Sequence, residues 1–313
     1  MLAALQGKGR IILVQTVLGA VSAKSLGITM CHEHLALDLS PVRGGTDSVF
    51  DDQQLIGSEL GLLVQQGCGT VVEVTCNDMG RNVASLCELS RRSHIHILAA
   101  TGFYLRPYHP PWLLAADVDK VAALFIDELE TGIGDSGVRA GLIGEIATSS
   151  ERIYDTERKV FEAAAIASAQ TGCAVSTHCD GGKRGLEQLE ILRRGNAALN
   201  KVILGHTDLV DDTAYQLELL SSGANIAFDT VGKTAYLSDE KRADNLTALV
   251  DAGYVSRLLL SQDVSRLSYM VANGGRGYTA VLGNFVRLLR ERGLADSQLN
   301  DILVHNPARI LNR

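Results

Sequence analysis

The segment Gly27-Ile28-Thr29-Met30-Cys31-His32-Glu33-His34-Leu35 carries two histidines separated by a single residue. In an extended strand, residues two apart project to the same side. His32 and His34 are therefore expected to present two imidazoles together, with Cys31 and Glu33 turned to the opposite face. Two neutral imidazoles at a strand end form half of a site for a borderline divalent metal such as zinc. Further along, Glu145, His178, His206 and Asp263 each fall late in, or at the close of, a short apolar run. Four imidazoles and two carboxylates can hold two divalent metals, with one carboxylate bridging. Such a pair sharply lowers the pKa of a shared water and polarises the bond under attack. Asp263 would act both as ligand and as proton acceptor, a dual role that suits a carboxylate.

Residues so far apart in sequence need a framework that gathers them. Eight β-branched or apolar runs are present, at 28–35, 70–75, 95–101, 142–148, 173–178, 201–206, 224–229 and 257–263. Near-continuous apolar runs suit parallel strands buried on both faces. Between them lie helical patterns, among them 55–66, 118–130, 157–170 and 239–251. Gly67, Gly172, Gly223 and Gly253 follow four patterns of this kind, where a helix C-terminus calls for a left-handed residue. Eight strand–helix units predict an α/β fold, a (β/α)8 TIM barrel, whose chemistry sits at the C-terminal strand ends. A second His-x-His, His94 and His96, opens the third run at the wrong barrel end and reads as structural.

The chain has 313 residues, 46% hydrophobic and 21% charged, and no linker-like stretch divides it. It reads as one domain, 1–313. A net charge of −7 argues against a nucleic-acid partner but permits an anionic small substrate held by local cations. The apolar stretch 11–23 is too short and too interrupted to span a membrane, and it runs directly into the His-x-His strand. Six cysteines show no paired spacing, which suits reduced, mostly buried thiols in a cytoplasmic protein. The composition is equally compatible with a homo-oligomer.

Taken in order, His32-Glu33-His34, Gly144-Glu145-Ile146, Ser176-Thr177-His178, Gly205-His206-Thr207-Asp208 and Ser261-Gln262-Asp263 resemble the phosphotriesterase family of the amidohydrolase superfamily. The resemblance implies a barrel with two divalent ions, zinc or alternatively manganese or cobalt. It assigns His32, His34 and Asp263 to one ion and His178 and His206 to the other. Glu145 stands where many members carry a bridging carboxylated lysine; this is similar to the phosphotriesterase homology proteins, which use glutamate. Phe228-Asp229-Thr230-Val231-Gly232-Lys233 and the segment Ala272 to Tyr278 resemble that subgroup too. The competing reading of Glu145 is a buried carboxylate paired with Arg139. Thr230 replaces the histidine that organophosphate-degrading members pair with the aspartate matched here by Asp208, so proton release from Asp263 takes another route or has none.

The implied activity is hydrolysis of an ester or lactone, including phosphorylated sugar lactones, by a metal-bridging hydroxide, with phosphotriesters as a side reaction. An amidase with the same metals is the alternative, and a metal-stabilised binding protein without turnover is the reading from a different class. Tyr104, which follows the third run, is placed to meet a polarised oxygen, and Lys233, Arg266 and Arg276, which follow the last two runs, to meet an anionic group.

Overall fold

The computed structural model describes residues 12–313. Eight parallel strands form a nearly closed barrel: β3 (Ile28–Glu33), β4 (Cys68–Glu73), β5 (His96–Thr101), β6 (Leu142–Thr148), β7 (Val175–Cys179), β8 (Val202–Gly205), β9 (Asn225–Phe228) and β10 (Leu258–Leu260). Each strand pairs with its sequence neighbour, from β3 through to β10. The four predicted helices form at Gln53–Gln65, Val118–Glu130, Asp155–Thr171 and Asp239–Asp251. Asp52, Asp117 and Ser238 cap three of them by accepting backbone N–H bonds. Gly172 ends the third at φ 71°, a conformation glycine adopts without steric cost.

Ahead of the barrel, the apolar stretch forms an antiparallel hairpin of β1 (Leu13–Thr16) and β2 (Gly19–Ser22); Ile11 lies outside the described residues. Val14 from this hairpin joins Leu26, Ile310 and Leu311 in one buried cluster with Val72, Leu98, Leu142, Ile203 and Leu259. That cluster fills the barrel interior and its lower mouth. The opposite strand faces join the helices in a larger core that includes Leu60, Phe125, Phe161 and Leu246. No helix among the described residues is long and apolar enough to cross a membrane.

Two irregularities correct the simple alternation expected for the strands. Met30 pairs with Val71 but Glu33 with Glu73, so β3 carries one residue more than β4 between these points. Cys31 thus packs with the inner layer, not the outer one. In β6, Ile143 pairs with Val175 and Ile146 with Thr177, again one residue more. Strict alternation would have put Glu145 in phase with Ile143, which faces the outer core. Such bulges re-aim a side chain, and here they serve the two strands that carry His32 and Glu145.

One buried cation ties the upper loops together. Arg242, fully buried on the helix Asp239–Asp251, donates from Nε to Asp208 Oδ2 at 3.0 Å and from Nη2 to Thr230 Oγ1 at 2.9 Å. Removing one member of a buried ion pair strands the other charge. Arg242→Met is expected to lower stability by about 3–5 kcal/mol, measured by denaturant unfolding of the metal-free protein; a loss below about 1 kcal/mol would show that Asp208 needs no such partner.

Candidate metal centre

The strand ends bring all six predicted ligands into one buried cluster. His32, His34, Glu145, His178, His206 and Asp263 are each 8% exposed or less. Glu145 lies at its centre. Its Oε2 is 3.1 Å from His32 Nε2, 2.9 Å from His178 Nδ1 and 3.6 Å from His206 Nε2, and its Oε1 is 3.3 Å from His34 Nε2. Asp263 Oδ1 is 3.1 Å from His34 Nε2, and its Oδ2 is 3.9 Å from His206 Nε2. Arg139, the rival partner for Glu145, instead donates to Gln15 Oε1 at 2.7 Å, on the N-terminal hairpin.

The backbone is shaped to allow this crowding. A Cβ on Gly144 would lie 2.2 Å from Ser176 O, and one on Gly205 would meet Asp229 Oδ2 at 2.8 Å. The residue before each of Glu145 and His206 must therefore be glycine. His206 and Asp263 themselves hold φ of 64° and 50°, a region costly for residues with a Cβ and concentrated at functional sites.

A further carboxylate orients the imidazoles. Asp229, fully buried after β9, accepts from His206 N at 2.8 Å and lies 2.9 Å from His206 Nδ1 and 3.1 Å from His32 Nδ1. It therefore sets which nitrogen of each ring faces Glu145. His34 Nδ1 is fixed by Thr75 Oγ1 at 2.9 Å, and that hydroxyl bonds Glu73 in turn. In the sequence, the only signal for Asp229 as a supporting residue is its position closing an apolar run.

Charge follows from these contacts. Burial alone would depress the imidazoles, yet the bonds to Asp263 and Glu145 push His34 up to about 9, and Asp229 pushes His206 up to about 10. His178 goes the other way, because burial and the nearby His206 outweigh Glu145. Burial would raise Glu145, but His32 and His178 hold it well below the carboxylate range. Both ring nitrogens of His32, and Asp229 Oδ2, are buried with no properly aligned hydrogen-bond partner. Imidazole nitrogens and carboxylate oxygens crowded together and largely buried are a donor set suited to divalent cations, which would take the place of the ring protons. His32, His34, Asp263 and Glu145 could hold one ion, and His178, His206 and Glu145 another.

Above the cluster opens a cavity of about 490 Å³, lined by Tyr104, Tyr108, Lys233, Arg266 and Tyr269 as well as by five of the six clustered residues. Tyr104 Oη is 3.4 Å from His178 Nε2, and Asp78 anchors its loop by accepting from Tyr104 N at 3.0 Å. Lys233 contacts Asp263 directly. Arg266 lies 3.4 Å from Asp47 at the rim. Arg276, expected beside substrate, is absent from this lining and pairs with Asp239 at 2.9 Å. Arg43, which sequence gave no reason to single out, lines the same wall. Asp208 is locked by Thr230 Oγ1 at 2.8 Å and by Arg242, so it is committed to the loop network and not to Asp263.

Partners behind metal-ligating histidines typically contribute ten- to a hundredfold in metal affinity. Asp229→Asn is expected to weaken zinc binding by about tenfold or more while the barrel stays folded. Competition with a chromogenic chelator reads this directly, and an unchanged affinity would show that the rings need no such support.

Residues 12–311 match the Phosphotriesterase family. The phosphotriesterase homology protein of Escherichia coli is 38% identical over 90% of this chain and 97% of its own. Its crystal structure, with phosphate in the active site, superposes with a TM-score of 0.90 over 92% of this chain and 99% of that one. The N-acetyltaurine hydrolase of Mus musculus is 31% identical, covering 95% of this chain and 97% of the relative. A lactonase from Listeria monocytogenes is 25% identical with a TM-score of 0.91, over 96% and 98% of the two chains. A (β/α)8 barrel whose strand ends gather four histidines and two carboxylates, matched along nearly its whole length, belongs to the phosphotriesterase family.

Proposed function

We propose that the chain is a binuclear metal-dependent hydrolase of small esters or lactones, favouring substrates that carry an anionic group. The observation that carries this reading is the Glu145 carboxylate, within 3.6 Å of a ring nitrogen from each of four histidines. His32, His34 and Asp263 are assigned to one divalent ion and His178 and His206 to the other, with Glu145 shared. Zinc suits these donors, and manganese or cobalt would be accepted by the same set. When bound, the ions supply Lewis acidity toward the scissile carbonyl and acidify a water held there.

The chain's own groups do the rest. Asp263 accepts the proton released by the attacking water. Burial would raise its pKa, but the Lys233 charge and the His34 bond hold it well below the usual range, so it is ionised. Tyr104 points its hydroxyl over His178, where a substrate oxygen would rest. Lys233, Arg266 and Arg43 place three cations on the cavity wall, and the phosphate in the E. coli relative's active site supports an anionic ligand. The Listeria lactonase supports the lactone reading. The N-acetyltaurine hydrolases favour a second reading, in which an N-acyl amino sulfonate takes the same place and an amide is cleaved. Six buried free cysteines support a reducing, cytoplasmic setting.

Metal-reconstituted protein should be screened against lactones, carboxylate esters, phosphotriesters and N-acyl amino sulfonates, each with anionic and neutral members. Turnover fastest on anionic lactones or esters is expected; turnover confined to the amides would establish the second reading instead. Asp263→Asn should lower kcat by about 10²–10⁴ while leaving the fold intact by circular dichroism, and near-wild-type rates would remove its proton role. Glu145→Gln should lose one metal equivalent, because a neutral amide cannot bridge two dications. Since Glu145 brings its own carboxylate, wild-type metal content should not respond to added bicarbonate. Full occupancy in Glu145→Gln, or a bicarbonate requirement in the wild type, would contradict the bridging assignment.

A further inference from the structure

Between the two histidines of the first strand lies Glu33, which the metal cluster does not use. It is fully buried, and every polar contact of its carboxylate comes from the chain around Asp263. Oε1 accepts from Ser261 Oγ at 2.6 Å, Gln262 N at 2.8 Å and Gln262 Nε2 at 2.9 Å. Oε2 accepts from Val264 N at 3.0 Å. The two peptide N–H groups on either side of Asp263 are thus held by the two oxygens of one carboxylate. Asp263 N itself donates to His32 O at 3.2 Å.

This grip falls where the backbone most needs one. Asp263 sits at φ 50°, a conformation that persists only where surrounding contacts over-determine it. It also lies at the barrel's weakest join: among the described residues, β10 and β3 share no ladder of paired residues. We propose that Glu33 is the positioning residue for Asp263, its carboxylate clamping the backbone N–H groups of both neighbouring residues, Gln262 and Val264, so that the strained aspartate is aimed at His34 and His206. Four donors converge on Glu33, so only an acceptor-only carboxylate satisfies them. An amide offers one acceptor oxygen and turns an NH₂ against at least one of those donors. The proposal rests on the reading of Asp263 as proton acceptor.

Two measurements test it. Amide hydrogen exchange of the metal-free protein reads the clamp without any turnover: Glu33→Gln should speed exchange in the peptide spanning residues 261–265 while β5 to β8 stay protected. Unchanged exchange there, or equal acceleration throughout the barrel, overturns the clamp. A double-mutant cycle then reads function. Misplacing a reacting group by about 1 Å costs about a hundredfold, so kcat should fall by about that factor for Glu33→Gln alone. In an Asp263→Asn background the same change should cost less than about threefold, because the residue it aims is already disabled. Equal losses in both backgrounds mean a general structural role and overturn the proposal. If Glu33→Gln does not fold, Glu33→Asp is read in both assays, its carboxylate too short to hold the N–H groups of both Gln262 and Val264. A wild type without hydrolytic turnover would defeat the functional reading, and the exchange result would still decide the clamp.

Discussion

The Glu145 carboxylate is the contact on which the rest of this structure depends. His178 and His206 have ring centroids 4.3 Å apart, and His32 and His206 are 4.9 Å apart. Imidazoles packed this closely and removed from water repel once any two are charged. The Glu145 anion at their centre, with Asp229 and Asp263 against the same rings, converts the crowding into a stable arrangement. Much of the local backbone follows from that requirement: the bulge in β6 that turns Glu145 inward, the glycines before Glu145 and His206, and the Asp229 carboxylate behind the rings. The cavity above inherits its floor from this cluster and its cations from the surrounding loops.

Legibility in the sequence divides along physical lines. Apolar runs ending in or near a polar residue are a local signal, and with the His-x-His spacing they mark His32, His34, Glu145, His178, His206 and Asp263. The eight-strand order was legible for the same reason, since buried parallel strands and capped helices each leave a period and a terminator. The bulges were not, because a bulge is a relation between two strands and neither strand records it alone. For that reason strict alternation misassigned the face of Cys31. The hairpin β1–β2 was missed because its apolar residues are few and its role, closing the lower mouth of the barrel, appears only once the barrel exists. Arg43 and Arg276 show the limit for loops: a charge's distance from its strand says nothing of its direction. One faces the cavity and the other finds Asp239.

Asp208 illustrates how a buried carboxylate close to the site can be committed to the scaffold. Thr230 donates its hydroxyl to it, and Arg242 neutralises it in full burial. The carboxylate has become part of the scaffold that fixes the loops after β8 and β9. Lys233, from the second of those loops, contacts Asp263 in its place. The electrostatic neighbourhood of Asp263 is thereby cationic.

The join between β3 and β10 also bears on how the protein is made. Glu33 and its partners Ser261 and Gln262 lie more than 200 residues apart in the chain. During synthesis from the N-terminus, the first strand is present long before the last. A nascent chain thus holds His32 and His34 with no Asp263, and its barrel stays open along one side until the ribosome has passed the final strand. Assembly of the complete cluster is consequently a late event, coupled to the meeting of the first strand with the chain after β10 and not to the appearance of the histidines. Such long-range closure is slow to find because its loop entropy is spent before its contacts form, and the enzyme becomes competent only when its two ends have met.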